Sequence, residues 1–179
     1  MDFPARALVL GFQRTGQSVA RMLAARGVRV TVADRQPAAA LGIDPAAWSS
    51  ITLRLGEDGT EVVGQVDLVV PSPGVPRHAP PLVRALERGV PVRAEIDLAA
   101  QALGCPIVAI TGTNGKSTTT SLVGMALAGS GCKTFVGGNL GTPLIEAVDA
   151  EPEVAVAEVS TFQLEWITCF RPAVGALLN

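Results

Sequence analysis

The sequence predicts an α/β chain built on parallel sheets, and three observations lead there. Short apolar runs rich in Val and Ile alternate with Ala/Leu/Arg segments of helical period. Two glycine-rich loops, Gly11 to Gly16 and Gly112 to Gly115, each follow an apolar run and precede a helical segment. Hydrophobic residues make up 48% of the 179 positions against 17% charged, with mean hydropathy +0.38, which is enough apolar surface for a sizeable core.

Ala7 to Leu10 reads as the first strand, Gly16 to Arg26 as the helix after it, and Val28 to Ala33 as the second strand, with Gly27 placed where a helix stops. The three alanines at 38 to 40 read as loop, Thr52 to Leu55 as a weaker strand and Leu68 to Val70 as a stronger one. Pro71-Ser72-Pro73-Gly74-Val75-Pro76 cannot continue a ladder, so it marks the carboxyl end of that strand, where open α/β sheets bind ligands. Pro81 to Arg88 then reads as a helix, Val90 to Arg93 as a short strand and Glu95 to Leu103 as a helical connector. The pattern restarts at Gly104-Cys105-Pro106 with the strand Ile107 to Ile110, a glycine loop and a helix from Lys116 to Ala128. Thr134 to Val136, Val154 to Glu158 and Val174 to Leu178 complete a second sheet. Two domains follow, 1–103 and 104–179, and the latter reads as the front of something longer.

Several classes are excluded. The apolar runs fall far short of the roughly 18 to 20 residues that a bilayer span requires, and the start Met1-Asp2-Phe3-Pro4 lacks the basic, apolar and small-residue pattern of a signal peptide, so a cytoplasmic protein is expected. Cys105, Cys132 and Cys169 are odd in number and have no metal-type spacing; they read as buried small hydrophobes. A net charge of −2 gives no long-range attraction for nucleic acid or anionic lipid, so any phosphate must be held locally. Nothing in the pattern speaks to oligomeric state. His78, the lone histidine, has no partner in sequence and is assigned no role; Trp48, Trp166 and Phe162 read as packing residues, and Arg21, Arg26, Arg84 and Arg88 as a solvated helix face.

Gly112-Thr113-Asn114-Gly115-Lys116-Ser117-Thr118 lies between a strand and a helix, so backbone N–H groups and the positive helix end face the loop. That is a phosphate cradle, with Lys116 placed to reach the β/γ-phosphates of ATP and the Ser117 hydroxyl placed to hold Mg²⁺. Lys116 and Lys133 are the only lysines among fourteen basic residues, which makes a lysine at this position informative. The spacing departs from the generic P-loop, since Ile110 stands where the first glycine would be. Glu158, at the carboxyl end of the strand Val154-Ala155-Val156-Ala157, is a second candidate for the Mg²⁺, directly or through water; the alternative is a solvated strand-end acid.

The earlier loop, Gly11-Phe12-Gln13-Arg14-Thr15-Gly16, with Asp34 closing the second strand, comes close to a dinucleotide fingerprint and makes the first domain Rossmann-like. Gln13 occupies the position whose glycine lets backbone approach a pyrophosphate, so the loop holds a nucleotide diphosphate differently or not at all. Asp34 is either a ribose or base acceptor or a turn acid.

The run Ile110-Thr111-Gly112-Thr113-Asn114-Gly115-Lys116-Ser117-Thr118-Thr119 resembles the ATP loop of the Mur ligase and folylpolyglutamate synthetase superfamily, whose short glycine spacing it shares. Gly138-Asn139-Leu140-Gly141-Thr142-Pro143 and Glu158-Val159-Ser160-Thr161-Phe162-Gln163-Leu164-Glu165 extend the resemblance, the latter being similar to the E-x-S-S-F-Q-L-E stretch of the D-glutamate-adding branch. Ser72-Pro73-Gly74-Val75 resembles that branch's S-P-G-[IV] loop, and the likeness covers the whole chain.

The resemblance implies a Rossmann-like domain followed by the first part of a P-loop ATPase-type domain. It implies an ATP-dependent ligase of cytoplasmic peptidoglycan synthesis that joins D-glutamate to UDP-N-acetylmuramoyl-L-alanine through an acyl phosphate. By the same resemblance Gly112, Thr113, Asn114, Gly115, Lys116, Ser117 and Thr118 would bind ATP, Lys116 and Glu158 would serve catalysis, and Ser117 and Glu158 would hold Mg²⁺. Asn139 and Ser160 would contact the muramoyl substrate, and Arg14, Thr15, Asp34, Arg35, Ser72 and Gly74 would hold the UDP group. Departures are Gln13 for a usual glycine, Thr161 for a usual serine, and Gln36 where some members have an arginine. The family's metal-binding histidine, carbamylated lysine, adenine contacts and D-glutamate-binding domain would lie beyond Asn179, so the chain alone is expected to be inactive. Two other readings stay open: an NAD(P)-dependent oxidoreductase resting on Gly11, Gly16 and Asp34, and a non-catalytic nucleotide-binding module.

Overall fold

The structure, a computed structural model, describes residues 3–179; Met1 and Asp2, which begin the stretch expected to lack a signal peptide, lie outside the described residues. The chain divides into two compact units, one ending at Ala94 and the other spanning Glu95–Asn179.

The first unit holds β1 (Arg6–Leu10), α1 (Arg14–Ala25), β2 (Arg29–Asp34), α2 (Ala38–Leu41), β3 (Thr52–Leu55), β4 (Leu68–Pro71) and α3 (Pro80–Glu87), with 3-10 turns at Pro45–Trp48 and Thr60–Gln65. All strands are parallel in the order β3-β2-β1-β4. Ala7, Leu8, Val9 and Leu10 are at most 2% exposed, so β1 is covered on both faces, which is why it reads as a continuous apolar run. Helix α1 buries Gly16, Val19, Ala20 and Leu23, positions three or four apart that form one stripe. Gly27, at φ +80°, ends it. Leu10 pairs with Ala33 on one side and Pro71 on the other, so β1, β2 and β4 end level. The strand order reverses at β1, and the Gly11 loop and the proline-rich loop meet at that switch point.

The second unit holds α4 (Glu95–Ala102), β5 (Ile107–Thr111), α5 (Lys116–Gly129), β6 (Thr134–Gly138), α6 (Ala147–Ala150), β7 (Val154–Glu158), α7 (Thr161–Leu164) and β8 (Val174–Leu177), with a 3-10 turn at Leu144–Glu146. Its parallel sheet runs β6-β7-β5-β8. Strand β7 is buried throughout, whereas β8 leaves Val174 and Leu177 exposed. No helix among the described residues is long and apolar enough to cross a membrane.

Several expectations are corrected. Val90 to Arg93 forms only a bridge, Val69 to Val92, because Pro91 has no N–H for a ladder. Ala38–Leu41 is a helical turn rather than loop, closed by Gly42 in the left-handed region. Arg21 is not simply solvated: its guanidinium stacks 4.5 Å from the centre of the Trp48 ring, which packs edge-on against the buried Phe12. Trp48 and Trp166 are buried as expected, but Phe162 is 62% exposed. The cysteines are not core residues, since Cys105 and Cys132 are half-buried and Cys169 is exposed.

The division falls after Ala94, not at 103, because two buried acids tie α4 to the second unit. The Asp97 carboxylate accepts from Thr168 Oγ1 (2.8 Å), Cys169 N (2.8 Å) and Phe170 N (2.7 Å). Glu95 accepts from Ile145 N at 2.6 Å, while its other oxygen has no hydrogen-bond partner. The glycine-cysteine-proline restart thus marks where a strand begins, one helix into the unit.

Burial pushes the Glu95 carboxyl up to about 7, with Glu146 adding to the effect and the Ile145 and Leu144 N–H groups opposing it. The folded pKa lies above the unfolded one, so the native state holds this proton more tightly. The resulting stabilisation is complete below pH 4.5 and is lost as pH rises through about 7. Relative to Glu95→Gln, the wild-type second unit is therefore expected to lose roughly 3 kcal/mol of unfolding free energy across that window. Urea unfolding at pH 4.5 and pH 8, followed through Trp166 in a Trp48→Phe background, measures it; parallel pH profiles for the two proteins would contradict the assignment.

Candidate functional site

The second glycine loop shapes the centre of the site. Gly112 and Gly115 adopt φ +138° and +81°, turning the chain from β5 into α5. With Gly115 at the N-cap no side chain covers the start of α5, so its first N–H groups face the loop. The Lys116 ammonium folds back over the turn, donating to the carbonyls of Gly112 (2.8 Å) and Thr113 (3.2 Å). Thr113, Asn114, Gly115, Ser117 and Thr118 are exposed.

Strand register brings the other groups in. Glu158 pairs with Ile110 of β5 and Gly138 of β6, so its side chain sits between the glycine loop and the segment after β6. One carboxylate oxygen accepts from Ser117 Oγ at 2.6 Å and the other from Asn139 Nδ2 at 2.7 Å, while the residue is only 3% exposed. Asn139 N also donates to the Glu158 carbonyl at 2.8 Å. Gly138 is demanded by this closeness, since a Cβ there, at φ +97°, would lie 2.3 Å from the Glu158 carbonyl oxygen; Gly137 is demanded by the turn that follows, where a Cβ would lie 2.2 Å from the Thr142 carbonyl oxygen.

Asn179, at the end of β8, is not legible as a site residue from the sequence. Its Oδ1 accepts from Thr113 N (3.2 Å) and Asn114 N (3.1 Å). Two successive loop N–H groups converging on one oxygen make an anion-type nest, and that convergence is the geometry a phosphate oxygen requires. Only the pairing of β8 beside β5, in which Leu177 meets Thr111, brings Asn179 there; no local motif announces it.

The donor set also suits the divalent ion implied above. Ser117 Oγ and the Glu158 carboxylate are hard oxygen ligands side by side, and among the described residues no group of three or more His, Cys, Asp or Glu could hold a metal. Mg²⁺ needs few protein ligands because phosphate oxygens and water complete its octahedron. Ser160 is placed two residues past Glu158 at the start of α7, in a capping box: its Oγ accepts from Gln163 N (3.4 Å), and Gln163 Oε1 accepts from Ser160 N (2.9 Å) and Oγ (3.0 Å). The S-x-x-Q spacing could have revealed Gln163 in sequence.

In the first unit, Arg14, Thr15, Asp34, Arg35, Ser72 and Gly74 all lie at the carboxyl end of the sheet. Asp34 acts here as the turn acid: its carboxylate accepts from Phe12 N (2.7 Å) and Gln36 N (2.8 Å) and so braces the glycine loop. Ser72 Oγ donates to the Gly11 carbonyl at 3.1 Å, joining the two loops. A Cβ on Gly16 would lie 1.9 Å from that same carbonyl oxygen, so this glycine lets α1 pack on the loop. Gln13 has extended backbone, which any residue adopts, and stands exposed at the N-cap position of α1 without a side-chain cap hydrogen bond. Arg14, Arg35 and Gly74 are exposed, Thr15 and Ser72 half-buried. His78 is exposed.

A strand–glycine loop–helix cradle beside a buried acid, on the second of two parallel-sheet units, defines a class of proteins whose loops grip a compact anion, and the relatives narrow it. Residues 5–94 match the family described as Mur ligase MurD-like, N-terminal domain, and residues 110–179 match the Mur ligase middle domain. The chain belongs to the Mur ligase family. It is 51% identical to a UDP-N-acetylmuramoylalanine--D-glutamate ligase of Pelobacter propionicus, over 97% of this chain and 40% of that protein. Its identity to the ligase of the same name from Anaeromyxobacter dehalogenans is 54%, over 97% and 38%. The chain thus spans about 40% of the curated relatives it matches. Solved structures with the same fold include a murein peptide ligase from Psychrobacter arcticus (TM-score 0.56, 19% identity, 98% of this chain and 43% of that one). A UDP-N-acetylmuramate:L-alanyl-gamma-D-glutamyl-meso-diaminopimelate ligase from Neisseria meningitides aligns with TM-score 0.55 at 17% identity, over 97% of this chain and 61% of that one.

The Gly138 contact gives a direct test of how tightly the segment before Asn139 is held. Gly138→Ala is expected to cost roughly 2 to 4 kcal/mol, since it adds both a disfavoured φ and a backbone clash. Gly141→Ala, at φ +62° with nothing within 4 Å, should cost only about 1 kcal/mol. Urea denaturation of the two variants in parallel reads the difference, and equal losses would mean the strand gap is not as tight as described.

Proposed function

We propose that this chain is the nucleotide- and substrate-binding front of an ATP-dependent ligase that adds D-glutamate to UDP-N-acetylmuramoyl-L-alanine, in the cytoplasmic synthesis of peptidoglycan. The observation that supports this best is the buried Glu158 carboxylate, bridged by Ser117 and Asn139 beside an open glycine loop. That is an arrangement for holding a nucleotide triphosphate with Mg²⁺, and the relatives' name supplies the reaction.

In that reading the muramoyl alanine carboxylate attacks the γ-phosphorus of ATP, ADP leaves, and an acyl phosphate results. The D-glutamate amine then attacks the acyl carbon, loses a proton and expels inorganic phosphate to leave an amide. Gly112, Thr113, Asn114, Gly115 and Thr118 cradle the phosphates through the loop and the helix start. Lys116 moves from the loop carbonyls onto the γ-phosphate and offsets the charge that spreads over its oxygens. Ser117 and Glu158 hold Mg²⁺, which when bound neutralises phosphate charge. Asn139 and Ser160 orient the muramoyl end, so that the reacting groups meet in one geometry. Arg14, Thr15, Arg35, Ser72 and Gly74 bind the UDP end at the switch point of the first sheet, where Asp34 braces the glycine loop. The oxoanionic substrates need no nucleic acid and no membrane insertion.

Calorimetric titration tests the reading. The chain should bind Mg·ATP and UDP-N-acetylmuramoyl-L-alanine saturably and ignore NADH. Lys116→Ala should weaken Mg·ATP about tenfold or more, near 1.4 kcal/mol, and Ser72→Ala should weaken the muramoyl nucleotide alone. Binding of NADH in its place would favour the oxidoreductase, and silence toward Mg·ATP would remove the phosphate site.

A further inference from the structure

We infer that Glu95 is a positioning residue for the ATP and Mg²⁺ site, acting through the segment that presents Asn139. The inference rests on the reading of that site given above.

Glu95 is 2% exposed at the start of α4, on an element that the proposed chemistry does not use. Burying a carboxyl group is costly, and here one oxygen is left without a partner, so α4 packing alone does not account for an acid at this position. What the side chain does hold is Ile145 N, at 2.6 Å. Ile145 belongs to the 3-10 turn Leu144–Glu146, whose apolar side chains are themselves buried. Between Gly138 and that turn runs a short arch that carries Asn139. Its near foot is closed by Gly138 N donating to the Thr142 carbonyl at 2.7 Å and by Asn139 N donating to the Glu158 carbonyl at 2.8 Å. Its far foot, three residues past Thr142, is the Glu95 bond. Gly141, at φ +62° with open space where a side chain would stand, adds no contact of its own, so the arch is held by its two ends, the far one including the buried Pro143. The Asn139 amide that reaches Glu158 Oε1 therefore depends on both feet being fixed, and Glu95 fixes one of them. The other acids on the elements packed here, Glu146, Asp149 and Asp97, do not make this bond: Asp97 accepts from the 168–170 segment instead.

The experiment compares the full 179-residue chain with three variants, Glu95→Gln, Glu95→Asp and Glu95→Leu. Glutamine keeps an acceptor for Ile145 N, aspartate draws it back by one methylene, and leucine removes it at similar volume. Backbone hydrogen exchange at Asn139 and Ile145 is measured together with ATP titrations with and without Mg²⁺. Glu95→Leu should speed exchange at both positions and weaken ATP about tenfold in the presence of Mg²⁺ only. Glu95→Asp should fall between leucine and wild type, and Glu95→Gln should retain wild-type exchange and affinity within about twofold. If leucine proves insoluble, the aspartate and glutamine pair decides the matter in the same way. A lowered melting temperature with Asn139 exchange and Mg²⁺ dependence unchanged would overturn the inference, leaving Glu95 a packing residue. Should the wild-type chain ignore Mg·ATP, the reading of the site falls, while the Asn139 exchange rates still decide whether Glu95 anchors the arch.

Discussion

A carboxylate that is almost wholly buried must find partners, and the second unit is arranged around giving Glu158 its two. Left unpaired, such a group would cost several kcal/mol. One oxygen takes the hydroxyl of the first turn of α5 and the other takes the amide of the residue after β6. Those two donors come from opposite neighbours of β7, so the requirement fixes the order β6-β7-β5 as well as the register of both pairings. A slip of one residue would point the Glu158 side chain to the other face of the sheet and strand both donors. Gly138 follows from the same demand, because only backbone without Cβ can come this close to the end of β7, whereas Gly137 is set by the Thr142 carbonyl across the turn.

The parts of the fold that are local in cause are legible in the sequence. Among the described residues the strands covered on both faces, such as β1, β4 and β7, are marked by apolar runs, and the two major strand–loop–helix turns by their glycines, because burial on both faces and φ > 0 leave direct traces in residue type; the exposed β3 and β8 leave weaker ones. The Ser117 and Glu158 pair is also legible, from the loop motif and an acid at a strand's end. What escapes depends on contacts distant in sequence. Asn179 reaches the loop only through the pairing of β8 with β5. Glu95 and Asp97 sit in a segment whose pattern is that of a connector, and their acidic side chains argue for solvent until their backbone partners at 145, 169 and 170 are known. Phe162 reads as core because aromatics usually are, yet α7 is one turn long, its capping box turns Ser160 and Gln163 inward, and Phe162 is left outside.

The two glycine loops are alike in sequence and differ in how their polar groups are spent, which bears on what each can bind. In the first, the acid at the end of β2 takes the Phe12 N–H, and Ser72 takes up the Gly11 carbonyl. That loop is braced from within, and the exposed groups around it are side chains at the switch point, such as Arg14 and Arg35. In the second, the N–H groups of Thr113 and Asn114 point together at a single oxygen, supplied by the side chain at the end of β8, and no side chain caps the helix that follows. Backbone donors that converge on one acceptor favour a compact anion, because each donor's dipole adds at the same point and none must reorganise. Side chains spread around a braced loop favour an extended ligand read at several separate contacts. Under the proposed function the same strand–turn–helix unit serves as a phosphate grip in one unit and a scaffold for recognition in the other, and the difference comes down to whether an acid on the neighbouring strand consumes the loop's own N–H.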